Sequence, residues 1–445
     1  MVSISVKKGY QLPVGGQPSL DMEMLAQPLR VGVHPDAIPF IKPRLMVQTG
    51  DPVSIGTVLF VDKRRPDIHF LSPGGGTVEE IVFGPRRRLH TIIIRLARIE
   101  TTASLGSLPL SSVHQMDRND LVAYLLKGGV WPFIKQLPFY DIADPDIIPS
   151  SIIVSLSDLE PFQTDPRVYL KSRTDLFLMG LDMLKKLCQK LVVTIHAQHE
   201  DLVPDFSKLI THHVTGSYPA SHPGVIVYHT RTTPSDNRAW IISGQDVLML
   251  AGLAHTGCYP TERVIALAGS MSAEPKHILT RMGVPVDHLI GGRTKGAGIR
   301  CIAGGLFTGA NIPPNGFMGV YQTSLTLIPE GNHREFLGFV RPGFSKPSYS
   351  RTFFSVFNKS LLSVDTNVHG GRRACIACGA CTEVCPVAIL PQLTYKSILA
   401  NEIEMFLAHG LLDCVECGLC TYVCPSKIEL NDVFTAAKRA YYRGT

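Results

Sequence analysis

The stretch Cys375–Pro425 constrains this chain more than any other. It reads CIACGACTEVCP, then 27 residues, then CVECGLCTYVCP. Each half has the form C-x2-C-x2-C-x3-C-P, the ligand spacing of paired [4Fe-4S] clusters, in which the fourth cysteine of each run ligates the other cluster. That spacing assigns Cys375, Cys378, Cys381 and Cys424 to a first cluster, and Cys414, Cys417, Cys420 and Cys385 to a second. A zinc site or disulfides are the plainer readings. Zinc sites usually pair two CxxC units, which leaves a third cysteine at the same spacing, twice over, unexplained.

The spacing has a geometric basis. Three thiolates at i, i+3 and i+6 on a tight turn can reach three corners of one cubane. The fourth is expected to start a short helix pointing toward the partner cluster. Gly379 and Gly418 let the backbone approach the sulfur atoms and donate N–H bonds to them. Pro386 and Pro425 direct the chain away, and the spacer from roughly Leu393 to Leu411 reads as helical. Glu383 and Glu416 stand beside ligands, where they either lower the potentials slightly or serve as ordinary surface charge. Tyr422 is placed to pack against a cluster or simply within the core.

The 445 residues suffice for about three domains. A hydrophobic content of 45% and a charged content of 18% describe a globular chain. The net charge of +6 is mild, and no basic stripe interleaved with aromatics points to nucleic acid. The three remaining cysteines, Cys188, Cys258 and Cys301, are scattered and read as small buried hydrophobes. Iron–sulfur ligation implies a reducing compartment, hence the cytoplasm. Lys7 and Lys8 lead into Gly-Tyr-Gln-Leu-Pro rather than a signal-peptide core, and no apolar run reaches 18 residues. Any membrane connection is expected to go through a partner.

Taken in order, residues 1–104 read as all-β, with β-branched runs alternating with turns at Gly50-Asp51, Gly56, Pro66 and Gly74-Gly75-Gly76. The pattern from Lys42 to Ile81 resembles a barrel-sandwich hybrid (lipoyl-like hammerhead), with Lys63 near the hairpin position that carries a prosthetic group in swinging-arm domains. An unmodified turn lysine is the expectation, and Arg86–Arg88 reads as a solvated basic run. Ala103–Ser111 reads as a linker. Residues 112–258 alternate β and α: a helix from Met116 to Gly129, strands at Ser150–Ser157, Leu191–Ala197 and Gly224–Thr230, and helices from Thr174 and over Asp246–Gly257. Residues 259–313 begin with a strand, a turn and a helix ending at Met282-Gly283, and resemble the soluble-ligand-binding β-grasp unit. The segment 314–366 connects, with strands at Tyr321–Pro329 and Phe336–Val340 and a helix at Thr352–Leu362. Residues 367–445 hold the cysteines. The fold class is thus a multidomain α+β and α/β chain closed by a helical two-cluster ferredoxin-like domain.

This order of pieces resembles two related families, the NqrA subunit of the Na⁺-translocating NADH:quinone reductase and the RnfC subunit of the Rnf complex. VKKGYQLPVGGQPS near the N-terminus, GDPVSIGTVLFVDK, KGGVWPFIKQLPF at Lys127–Phe139, ERVIALAG at Glu262–Gly269 and TYVCPSK at Thr421–Lys427 look like NqrA segments. The chain departs from familiar NqrA subunits in keeping both cysteine runs, as RnfC does. It departs from RnfC where a GGAGFPT-type flavin loop would stand, since Gly128-Gly129-Val130-Trp131-Pro132 places a bulky indole there. FMN is therefore not expected to bind, and with no GxGxxG after a strand neither is NADH. The resemblance implies an electron-transfer subunit of an Nqr-type membrane oxidoreductase, peripheral on the cytoplasmic face of the inner membrane, with other complex subunits as partners and quinone as a further candidate. The alternatives are an RnfC-like subunit oxidising NADH through FMN and a non-catalytic scaffold.

Overall fold

The computed structural model describes all residues except 1, 203–208, 332–335, 338–339, 341, 345, 347–348, 350–353, 369 and 445. Four sheets and a helical C-terminal region make a mixed α+β multidomain architecture.

Two small sheets form the N-terminal barrel-sandwich unit. One runs Arg30–Val33, Leu89–Leu96, Gly76–Phe83 and Pro52–Val53; the other Pro43–Leu45, Val58–Asp62 and Arg65–Leu71. Alternation turns Ile92 and Ile94 to one face, and Val31, Leu59 and Phe60 are fully buried with them. Lys63 sits exposed in the turn between Val58–Asp62 and Arg65–Leu71. The buried Asp62 carboxylate organises that turn by accepting from the backbone N–H groups of Lys42 (2.9 Å) and Arg64 (3.1 Å).

The central sheet has seven strands in the order Val2–Ser5, His212–Thr215, Leu191–His196, Ile152–Ser155, Trp240–Ser243, Lys135–Gln136, Asp141–Ile142. The first five are mutually parallel. The chain runs outward from Ile152–Ser155 on one side, then returns to Trp240–Ser243 on the other, so a topological switch point lies between those two strands. The helices Thr174–Leu187 and Gly244–Thr256 cover it. The latter is capped by Ser243, whose Oγ accepts from Asp246 N at 3.1 Å.

The second large sheet joins Ala310–Asn311, Ile299–Ala303, Ser324–Pro329, Glu262–Ala268, Lys276–Arg281 and Met22–Met24. Two strands of the N-terminal stretch thus serve other sheets: Val2–Ser5 pairs with His212–Thr215 and Met22–Met24 with Lys276–Arg281. Pairing across so long a separation leaves no local pattern to read.

Several local expectations are corrected. Gly224–Thr230 is not a strand but part of the helix Pro223–Thr230. Its short apolar run carries no period that separates helix from strand. Proline in the first turn and His222 Nδ1 accepting from Gly224 N (3.1 Å) decide for helix. The segment expected to be a helix ending at Met282-Gly283 is the strand Lys276–Arg281, held between Glu262–Ala268 and Met22–Met24. Two long-range ladders override its helical spacing. In the expected strand Phe336–Val340, residues 338–339 lie outside the described residues, and Phe336 and Leu337 form a turn. In the expected helix Thr352–Leu362, residues 352–353 also lie outside them, and the described part is a single short turn, Phe354–Phe357. The spacer of the cysteine region is two helices, Pro391–Leu399 and Ile403–Ala408. They are parted at Asn401, whose φ of 57° cannot continue a helix.

Candidate metal centre

The two cysteine runs fold into two turns of matching backbone conformation. Ala377 and Glu416, each two residues after the first cysteine of its run, have φ of 55° and 56°. Gly379 and Gly418 follow at 80° and 77°, and Ala388 and Lys427, three residues past each fourth cysteine, at 50° and 55°. Left-handed conformations at non-glycine residues are uncommon and costly, so their recurrence at paired positions marks a cradle built to one design. Each fourth cysteine lies beyond the end of a short helix rather than at the start of one: Cys385 follows Ala380–Val384, and Cys424 follows Leu419–Tyr422 with Val423 between. The prolines after them explain the reversal, since a residue preceding proline is driven out of helical geometry.

Cys375, Cys378, Cys381 and Cys424 line one small shared cavity of about 20 Å³, with Gln392 and Ser426 at its wall. Burial pushes the Cys381 thiol up, and Cys378 and Cys424 push it the same way, while the N–H groups of Cys381 and Thr382 favour its thiolate. In the second set, burial pushes the Cys420 thiol well up, and Cys414, Cys417 and Cys385 add to it, as does Cys381 of the first set. Burial also raises Cys414, to about 11, against the opposing pull of Lys438. Backbone N–H groups of Val387, Ile389 and Ala388 point at Cys385, that of Glu416 at Cys414, and that of Leu419 at Cys417. Sheltered sulfurs brought together with backbone N–H donors aimed at them suit a cluster, whose iron would take them as thiolates and whose sulfur such donors usually support. The residues therefore fit the [4Fe-4S] groups that the spacing assigns to them. Among the described residues, no group of three or more His, Cys, Asp or Glu stands close enough together to hold a metal ion between them; the cysteines of a cubane each bind a separate iron.

The surroundings of the second set come from the rest of the chain. Tyr218 Oη donates to Cys417 O at 2.8 Å, and Phe307 O lies where a Cβ on Gly418 would meet it at 2.8 Å. The Phe307 loop is held by the buried Glu160, which accepts from Phe307 N (2.6 Å), Thr308 N (2.8 Å) and Thr308 Oγ1 (2.7 Å). Burial, with Asp158 adding to it, raises Glu160 to about 7. Tyr422 stacks on Tyr10 with ring centroids 5.5 Å apart. Glu383 is exposed, as a surface charge should be. Glu416 is not: it is half-buried and pairs with the buried Lys438 at 2.7 Å. Neither Glu160 nor Lys438 was visible as a site residue in the sequence, because each owes its place to contacts from another part of the chain.

Two cavities lie side by side, the first of them against the second set. One of about 610 Å³ is walled by Cys417, Tyr218, Glu160 and Arg439. The other, of about 280 Å³, lies at the carboxyl ends of Ile152–Ser155 and Trp240–Ser243, the switch point, and includes Lys135. Asp158 and His222 line both. Burial lowers Lys135 to about 7, and its Nζ lies 3.7 Å from the Tyr321 ring centroid. Trp131 lines neither cavity. It is fully buried, donates Nε1–H to Ala143 O at 2.8 Å and packs edge-on against Trp240. The glycines before it are set by packing: a Cβ on Gly128 would stand 2.1 Å from Leu253, and on Gly129, 2.4 Å from Leu71. Cys188 and Cys301 are buried and Cys258 half-buried, apart from both sets.

Fold and site together define a multidomain α+β protein that carries a cysteine module of the 4Fe-4S dicluster kind. Four family descriptions match successive parts of it: the NqrA N-terminal barrel-sandwich hybrid domain over residues 4–97, the NqrA second alpha/beta domain over 116–259, the NQRA C-terminal domain over 264–313, and the 4Fe-4S dicluster domain over 374–428. The chain is 32% identical to the NqrA subunit of the Na(+)-translocating NADH-quinone reductase of Rhodopirellula baltica, over 92% of its own length and 91% of the relative's. It is 31% identical to that of Pseudomonas aeruginosa and 30% identical to that of Histophilus somni, in both cases over 92% of each chain. The chain belongs to the NqrA family, one of the subunit families of the Na⁺-translocating NADH-quinone reductases. No helix among the described residues is long and apolar enough to cross a membrane.

Proposed function

We propose that the chain is the electron-transfer subunit of an Nqr-type, ion-translocating NADH:quinone oxidoreductase. It holds two [4Fe-4S] clusters, on Cys375, Cys378, Cys381 and Cys424 and on Cys414, Cys417, Cys420 and Cys385. When bound, such clusters supply one-electron redox chemistry. The chain's own part is to hold them in a fixed relation, donate N–H bonds to their sulfur, and shield the second from water. The observation that supports this reading is the cavity shared by Cys375, Cys378 and Cys381 of the first run and Cys424 of the second. The same reading gives the chain other subunits of a membrane complex as partners, seats it at the cytoplasmic face, and keeps quinone as a candidate partner. It also takes the domains to run 1–104, 112–258, 259–313, 314–366 and 367–445.

The cavity at the switch point favours a second reading, an RnfC-like subunit that oxidises NADH through FMN, because open α/β sheets bind ligands there. Against it stands the packed Gly128–Trp131 turn, which leaves no glycine loop for a phosphate. Anaerobic purification separates the two. About eight irons per chain, no flavin and an EPR signal on reduction support the first reading. Stoichiometric FMN supports the second, and two zinc ions overturn both.

A further inference from the structure

The helix Leu430–Gly444 buries Leu430, Phe434 and Lys438, four residues apart on one face. Two are apolar, as a packed helix face requires. The third is an ammonium, and the residue is 1% exposed. Its Nζ donates to Cys414 O at 3.0 Å and to Glu416 Oε1 at 2.7 Å, and lies 5.1 Å from the Tyr140 ring centroid. Thr435 Oγ1 donates to the other Glu416 oxygen at 3.1 Å, which fixes the carboxylate. A buried cation is tolerated only when paired and fully bonded, and a leucine would pack here at less cost. Both hydrogen bonds go to the loop that presents the second set. Near the first set, Arg372 and Arg373 are exposed and reach Tyr395 Oη and Pro425 O.

We propose that Lys438 is a positioning residue for the second centre: it fixes the Cys414–Cys417 loop and raises the reduction potential there. The inference rests on reading the cysteines as [4Fe-4S] ligands. An added electron is one more negative charge, and a fixed ammonium beside the ligand loop, in surroundings of low dielectric, stabilises it. Glu416 opposes this in part, but its side chain is 25% exposed and screened by water, whereas that of Lys438 is 2% exposed. Lys8, whose Nζ donates to Thr382 O at 3.1 Å, places a second cation toward Cys385.

The test is an EPR-monitored redox titration of the anaerobically purified full chain, with the second centre identified as the signal absent from Cys417→Ser. Lys438→Met lowers the second midpoint by at least a tenfold change in the one-electron equilibrium, about 59 mV, and leaves the first in place. Lys438→Arg restores most of the shift. Glu416→Gln moves the second midpoint upward. Two midpoints that shift together, or a second midpoint unmoved in Lys438→Met, overturn the proposal. Should Lys438→Met lose iron, Lys438→Gln is titrated in its place, and an unmoved second midpoint there again overturns it. Failure of the cluster reading itself shows separately, as wild-type protein without two reducible iron–sulfur signals.

Discussion

The two halves of the dicluster region share one sequence pattern and one backbone conformation, yet they live in different surroundings. Ile376, after the first cysteine of its run, is 68% exposed; its counterpart Val415 is 5% exposed. Cys378 is exposed where Cys417 is half-buried. A Cβ on Gly379 would meet nothing within 4 Å, whereas one on Gly418 would meet Phe307 O. Val415 packs near Gly224 of the central domain, and Asp413, just before Cys414, binds Arg231 through both carboxylate oxygens (2.5 and 3.0 Å). At the place of Asp413 the first half has Ala374. The repeat dictates the ligands; the rest of the chain dictates what each ligand set feels. The inner set is built into the domain interface and the outer set is left open.

That contrast is broken or sharpened most strongly by removing one ligand from each half. Cys417→Ser should abolish the second centre and loosen the interface around it, with thermal unfolding lowered by on the order of 10 °C. Cys378→Ser should abolish the first centre with a clearly smaller loss of thermal stability. Iron analysis and calorimetry on the two variants check this, and equal losses would mean that the interface does not depend on the inner set.

The paired glycines come next. Both adopt φ near 80°, so alanine costs each about 1–2 kcal/mol of backbone strain. Only Gly418→Ala also drives a methyl group against the Phe307 carbonyl, adding about 1–3 kcal/mol of overpacking. Denaturant unfolding of the two iron-loaded variants should therefore rank Gly418→Ala below Gly379→Ala. A smaller effect is expected at the ion pair. Arg231→Ala leaves the half-buried Asp413 without its partner and should cost about 1 kcal/mol, with iron content unchanged.

What could be read in advance follows the same division. The paired cysteine turns, the helical spacer and the helices Thr174–Leu187 and Gly244–Thr256 were legible because their signals are local: cysteine spacing and the spacing of apolar residues along a helix. The interface was not legible. Lys438 looks like any lysine on an amphipathic helix, and only the fold brings Cys414 O to it. Glu160 looks like surface charge until the Phe307 loop, 147 residues away, donates to it. Pro223–Thr230 and Lys276–Arg281 failed in opposite directions for one reason. Both are short segments whose conformation is chosen by a cap or by partner strands rather than by their own period.

The smallest effect is expected at a thiol outside both halves. Cys188 is 6% exposed, caps the helix Thr174–Leu187 and directs its Sγ to Pro149 O at 3.4 Å. Serine keeps a donor in that place and removes little volume, so Cys188→Ser should change stability by less than about 1 kcal/mol and leave iron and both EPR signals at wild-type levels. The comparison with Cys417→Ser matters because both residues are sheltered cysteines near a domain core, and burial alone would treat them alike. If Cys188→Ser lost iron as Cys417→Ser does, shelter rather than ligand spacing would be what the two have in common, and the assignment of the eight thiols would fall with it.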